Sequence, residues 1–206
     1  MEITLILACY LIGSVPVAWI LTKLVTGRDI RTLGSGNVGV MNTALSAARW
    51  AGILVFVCEA TKGALAVWTA RYLEVGDLWV GAAVVATVAG TRWSIWMRGA
   101  GGRGNTTGVA AILLIAWPAM IIGLAIWILV RCLFHQSFLA TRVWILSIPL
   151  TLFLVTRSWA LSISGLGLSL IYLSTHASRT DDHTIIKQRW PSLWAFLTGP
   201  RRRIRP

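Results

Sequence analysis

Apolar residues fill long, nearly unbroken stretches of this chain, and polar residues gather in the short segments between them. The stretches cover residues 3–25, 51–70, 78–96, 110–130, 138–155 and 160–173. Runs of this length without strict two-residue alternation predict helices long enough to span, or nearly span, a bilayer. The predicted fold is therefore all-α, a polytopic membrane helix bundle. The first stretch is too long for the apolar region of a signal peptide, and no positive segment precedes it, so it is expected to stay as a membrane helix. Gly13, Ser14 and Pro16 interrupt it. Such a break is tolerated in a bilayer when neighbours satisfy the freed backbone groups. Pro118 interrupts the fourth stretch. If the chain only bends there, six spans result and the basic tail falls outside. If it turns, there are about seven transmembrane or partly spanning helices, and the tail, Arg131 and Arg142 fall inside. Charge placement favours seven. No internal repeat is visible.

Composition narrows the class. Of 206 residues, 56% are hydrophobic and only 13% charged, against about 25% charged in soluble domains. Mean hydropathy is +0.73. These values exclude a disordered chain, a collagen-like repeat and an ordinary water-soluble enzyme. Lys and Arg total 19 against 7 Asp and Glu, a formal net charge of +12. The basic residues are spread between apolar stretches, which reads as a topology and lipid-surface signal and argues against a nucleic-acid partner. Basic loops at residues 28–49 and 98–103 flank an acidic turn at Glu74 and Asp77. The expected topology has both loops in the cytoplasm, the N-terminus outside and the C-terminus cytoplasmic. Of 12 tryptophans, Trp50, Trp79, Trp93, Trp96, Trp144 and Trp159 sit at the ends of apolar runs, as in an interfacial aromatic belt. Two domains are expected: a membrane-embedded one over 1–178 and a basic cytoplasmic tail over 179–206. In the tail, Trp190, Trp194 and Phe196 with Lys187, Arg189 and the terminal arginines fit an interfacial amphipathic segment or a disordered basic tail.

The polar loops carry the candidate chemistry. Gly34-Ser35-Gly36-Asn37-Val38-Gly39 matches G-x-G-x-x-G. The dinucleotide-binding reading needs a strand–loop–helix context, and membrane helices flank this loop instead. Consecutive small residues still let backbone N–H groups converge on an anion. Ser35 and Asn37 add side-chain donors, Arg31 adds charge, and Asp29 and Asn42 are placed to orient the loop. The plain alternative is a flexible connector. A second loop, Gly101-Gly102-Arg103-Gly104-Asn105-Thr106-Thr107, opens the next helix. A glycine-rich approach to a helix N-terminus suits a phosphate, and Arg103 can clamp two of its oxygens. Neither loop contains the P-loop pattern.

Glu59, Thr61 and Lys62 lie inside the second span. Their spacing puts Glu59 and Lys62 on one helix face, either as a structural pair or as ligand contacts. The cysteines (Cys9, Cys58, Cys132) and histidines (His135, His176, His183) show no metal-ligand spacing, so no metal and no cofactor are expected. His176, at the end of the last span, is the best-placed titratable base.

Three stretches together resemble the bacterial PlsY-type acyl-phosphate:glycerol-3-phosphate acyltransferase family. One is Gly13-Ser14-Val15-Pro16 followed by Asp29-Ile30-Arg31 and the loop from Gly34 to Asn42. Another is Glu59-Ala60-Thr61-Lys62-Gly63-Ala64, similar to that family's D-x-x-K-G-A. The last is Gly101-Gly102-Arg103-Gly104 with Thr107, similar to its G-G-K-G-x-x-T. The resemblance covers about residues 10 to 175. It implies a seven-helix enzyme of the cell inner (plasma) membrane that moves an acyl group from acyl phosphate to glycerol 3-phosphate, giving lysophosphatidate in phospholipid synthesis. By the same resemblance Ser35, Asn37 and His176 are the catalytic candidates. Arg31, Gly34, Gly36, Asn42, Lys62, Gly101, Gly102, Arg103, Gly104 and Thr107 are the substrate-binding ones. This chain differs from the pattern in Leu45, with Arg49 one turn later, in Thr91 for a His, in Ala100 for a Lys and in Arg103 for a Lys. The family's closing H-R-x-N-I is not reproduced. Two other readings remain: a catalytically weakened relative that binds lipid or a phospho-ligand, and a small transporter of a phosphorylated solute.

Overall fold

The computed structural model describes residues 1–175 and 193–198. Among them every regular element is helical: α1 (Glu2–Ser14), α2 (Val17–Thr26), α3 (Val40–Ser46), α4 (Arg49–Tyr72), α5 (Asp77–Arg92), α6 (Asn105–Phe134), α7 (Ser137–Thr156), α8 (Trp159–Thr175) and α9 (Leu193–Thr198). Single 3-10 turns occur at Ile30–Thr32 and Ile95–Met97. Five stretches are long and apolar enough to cross a bilayer: Glu2–Thr26, Arg49–Tyr72, Asp77–Met97, Asn105–Phe134 and Ser137–Thr156; Trp159–Thr175 is a shorter apolar helix. The expected multi-pass helical architecture is what the chain adopts.

The break at Pro118 takes a defined form. Pro118 has no N–H to give the Leu114 carbonyl, and its ring crowds the preceding turn. The backbone yields at Ala116 (φ −157, ψ 74). α6 is therefore two helical pieces, residues 105–115 and 117–134, about 16 and 27 Å long at 1.5 Å per residue. Counted separately, and with Glu2–Thr26 taken as one interrupted span, the membrane-depth helices number seven among the described residues.

The chain divides into two compact units. The larger contains Met1–Val15 and, of the described residues, the chain from Glu59 to Thr175. In it α5 packs on α1, α8 and α6, and α7 packs on α6 and α8. Its core mixes small and β-branched residues with leucine: Val80, Ala83, Val84, Val88, Ala111, Ile145 and Leu161 are all at most 2% exposed. α1 and α5 touch at backbone level, because a Cβ on Gly13 would strike the Thr87 carbonyl and one on Gly90 the Tyr10 carbonyl. Close small-residue contact of this kind is how membrane helices associate without a hydrophobic driving force. Leu113, Leu114, Trp117, Leu146 and Leu150 turn outward on α6 and α7, as lipid-facing side chains do.

The smaller unit contains Pro16–Cys58 with α9. The sequence reading leaves residues 27–50 as loop, and here the structure differs: α3 stands inside it. Its seven residues are too few to show a helical period. Phe196 of α9 is buried against Met41, Ala44 and Leu45, and the Arg49 guanidinium lies 5.5 Å from its ring centroid. The rest of the expected tail domain, His183 included, lies outside the described residues, as does His176 just ahead of it.

Candidate active site

The first glycine-rich loop is organised by one buried side chain. Asn42, on α3, is 0% exposed. Its amide nitrogen donates to the carbonyls of Leu33 (2.9 Å), Asn37 (2.9 Å) and Ile30 (3.3 Å). Its oxygen accepts from the Ser35 amide (3.3 Å) and the Ser46 hydroxyl (3.0 Å). Gly34 (φ 55) must be glycine on two counts: its backbone is left-handed, and a Cβ would strike the Asn42 side-chain oxygen. The loop's own amides are largely spent. Gly36 donates to Leu33, Asn37 to the Ser35 hydroxyl and Gly39 to Asn37. The expected convergence of free N–H groups on an anion is thus not what this loop offers. It presents the half-buried side chains of Ser35 and Asn37. Arg31 forms a fork with Asp29 (Nη2–Oδ2 2.6 Å, with Nε 3.1 Å from both oxygens). Hydrogen bonds from the Arg31 side chain hold the Asp29 carboxyl well below the usual carboxylate range.

The second loop, in the larger unit, is anchored by backbone. Gly101 N donates to Arg92 O (3.0 Å) and Gly102 N to Thr91 O (2.9 Å). Gly104 (φ 73) caps α6, and its carbonyl accepts from the buried Tyr172 hydroxyl (3.4 Å). The first intrahelical bond of α6 runs from Gly108 N to Gly104 O. The amides of Asn105, Thr106 and Thr107 therefore have no helical acceptor. Half-buried Arg103 stands beside them, so donors and positive charge meet at one helix start, as anion recognition requires.

Lys62 and Glu59 form a buried pair beneath this loop. Lys62 Nζ donates to Glu59 Oε1 (2.7 Å), Val15 O (2.6 Å) and Gly13 O (3.3 Å). Glu59 Oε2 accepts from the Thr107 hydroxyl (2.9 Å). The three ammonium hydrogens and the Thr107 hydroxyl hydrogen are accounted for within the protein. Of the expected binding residues, Asn42, Lys62 and Thr107 thus direct their hydrogens into the fold, while Ser35, Asn37 and Arg103 belong to the loops. Sequence reasoning marked Thr91 only as a departure from the family pattern and missed Ser94 and Tyr172. Thr91 Oγ1 contacts Gly13 O (3.2 Å), and Ser94 Oγ donates to Ser14 O (2.5 Å). Their partners lie some 70–80 positions away, a separation at which no spacing signal exists.

Fold and loops together define a multi-pass membrane protein that carries two glycine-rich polar loops, with a buried ion pair beneath one of them. Residues 3–183 match the family model described as glycerol-3-phosphate acyltransferase. The chain belongs to the glycerol-3-phosphate acyltransferase family. A glycerol-3-phosphate acyltransferase of Prochlorococcus marinus (strain NATL1A) is 32% identical over 173 residues, 84% of each chain. One from Geotalea daltonii is 33% identical over 154 residues, 75% of this chain and 79% of its own. Among solved structures, PlsY, an integral membrane glycerol 3-phosphate acyltransferase, superposes in its glycerol 3-phosphate form with a TM-score of 0.74 at 22% identity. That match covers 91% of this chain and 93% of the other. Its lysophosphatidic acid form gives 0.70 at 20% identity. At such identities these two matches establish the shared fold.

Proposed function

We propose that this chain transfers an acyl group from acyl phosphate to the 1-hydroxyl of glycerol 3-phosphate at the cytoplasmic face of the cell inner membrane, giving lysophosphatidate, without metal or cofactor. The observation that carries the reading is the start of α6, where Arg103 and three amides without helical acceptors stand together in a chain of this family.

Acyl phosphate is an activated mixed anhydride. The glycerol hydroxyl oxygen attacks its carbonyl carbon, the carbon–oxygen bond to phosphate breaks, and inorganic phosphate leaves carrying the hydroxyl proton. The protein's work is to hold two phosphorylated molecules in attack geometry, which supplies about 7–11 kcal/mol of such a barrier. Arg103 and the α6 amides bind phosphate. Ser35 and Asn37 donate hydrogen bonds to substrate oxygens, and Arg31, its charge matched by Asp29, braces their loop. Asn42, Lys62 and Thr107 shape the loops, whose glycines at 34, 36, 101, 102 and 104 permit close approach. The sequence assigns His176 to relay that one proton from the hydroxyl to the leaving phosphate. One observation favours the second reading, a weakened relative that binds but turns over slowly: Thr91, where the family has a His, spends its hydroxyl on backbone carbonyls.

Arg103 tests the assignment. A charge-assisted hydrogen bond is worth about 1.5–3 kcal/mol, so Arg103→Ala should lower kcat/KM roughly tenfold or more. Arg103→Lys should keep much of the activity, because Lys still meets phosphate as a point charge. Ser35→Ala is the companion probe. Near-normal turnover per folded molecule in both Ala variants overturns the placement of the site.

A further inference from the structure

Both ends of the second loop lead back to one backbone carbonyl, that of Gly13. On one arm, Thr91 Oγ1 contacts Gly13 O and Thr91 O accepts from Gly102 N. On the other, Lys62 Nζ contacts Gly13 O and Glu59 Oε1, and Glu59 Oε2 accepts from Thr107. The loop from Gly102 to Thr107 closes the ring. Gly13 lies in the last turn of α1, which ends at Ser14 as Val15 turns extended, so the final carbonyls lack continuing helical donors and need other partners. Lys62 reaches two of them, Gly13 O and Val15 O.

Stability alone does not explain this arrangement. A buried ion pair loses about as much solvation as it regains in attraction, and apolar residues of similar volume often replace it without loss. Such residues cannot grip two carbonyls and the Thr107 hydroxyl together. We infer that the Glu59–Lys62 pair is a positioning device that fixes the start of α6, and with it Arg103 and the first-turn amides, against the broken end of α1. The inference rests on the proposed reading of the loop as a phosphate site. It makes Glu59 and Lys62 positioning residues, acting through Thr107, rather than groups that touch substrate.

The test uses full-length purified protein and the double variant Glu59→Gln/Lys62→Met, which removes both charges at once and leaves neither buried alone. Hydrogen exchange at the bonded amides of Gly101, Gly102 and Gly108 should quicken about tenfold or more while the α5 and α7 amides stay protected. The KM for the phosphate substrate should rise roughly tenfold, with kcat at saturation much less affected. Thr107→Val, which keeps the ion pair and cuts only its link to α6, should reproduce the loosening; Thr107→Ser, which restores the hydroxyl, should recover the exchange protection lost in Thr107→Val. Unchanged exchange and KM in a folded double variant, or in Thr107→Val, overturn the inference. If the double variant does not fold, the Thr107 pair decides. If the wild type shows no turnover, the proposed function fails while the exchange measurement still judges the positioning role.

Discussion

Asn42 and Asp29 show how single side chains build the first loop from the protein's own donors and acceptors. Residue type announced that Asn42 can both donate and accept. It did not announce that its N–H groups turn toward carbonyls 5 to 12 positions away while its oxygen accepts from Ser35 and Ser46, because direction is set by how α3 folds back over the loop. Asn42→Asp replaces the amide group with a carboxylate oxygen facing three carbonyls. Leaving those acceptors unsatisfied costs about 1–3 kcal/mol, so turnover per folded molecule should fall at least severalfold while the α5 and α7 amides keep their exchange protection. The Asp29–Arg31 fork makes a separate prediction. Asp29 has a depressed pKa in the folded protein. Its contribution is therefore present above the unfolded value near about 4 and lost as pH falls through the lower folded value. Both side chains are partly exposed (26% and 46%), so solvent screens the pair and its worth stays under about 1 kcal/mol. The stability difference between wild type and Asp29→Asn should be flat from pH 5 to 9 and shrink only below pH 4 (roughly the unfolded carboxylate range), read from thermal unfolding at each pH.

At the scale of elements, the spans were legible because a bilayer imposes length and polarity on every helix that crosses it. Residues 51–70 and 138–155 emerge as the middles of α4 and α7. The bend at Ala116 was half legible: Pro118 marks a break, but where the backbone yields depends on packing. The contacts between helices were not legible, since a glycine looks the same whether it faces lipid or another backbone. Gly63 is such a case; a Cβ there would strike the Thr107 carbonyl, whereas a Cβ on Gly76 meets nothing. Gly63→Ala should push α4 from the start of α6, lower stability by about 1–3 kcal/mol and loosen residues 101–107 in hydrogen exchange. Gly76→Ala, at an ordinary φ of −62, should leave both unchanged.

Across the whole molecule, charge placement predicts orientation: the first loop and the tail inside, the turn at Glu74 and Asp77 outside. Single cysteines placed by Ser35→Cys, Gly76→Cys and Pro200→Cys in a cysteine-free background read this directly. An impermeant thiol reagent on intact cells should label position 76 alone; labelling at both 35 and 200 inverts the topology. The chemistry is judged most directly by purified, folded wild-type protein supplied with a long-chain acyl phosphate and glycerol 3-phosphate. Lysophosphatidate and inorganic phosphate should appear in equal amounts, and acyl-CoA should not replace the acyl phosphate. No lysophosphatidate from acyl phosphate, or product only when acyl-CoA is the donor, contradicts the proposed reaction.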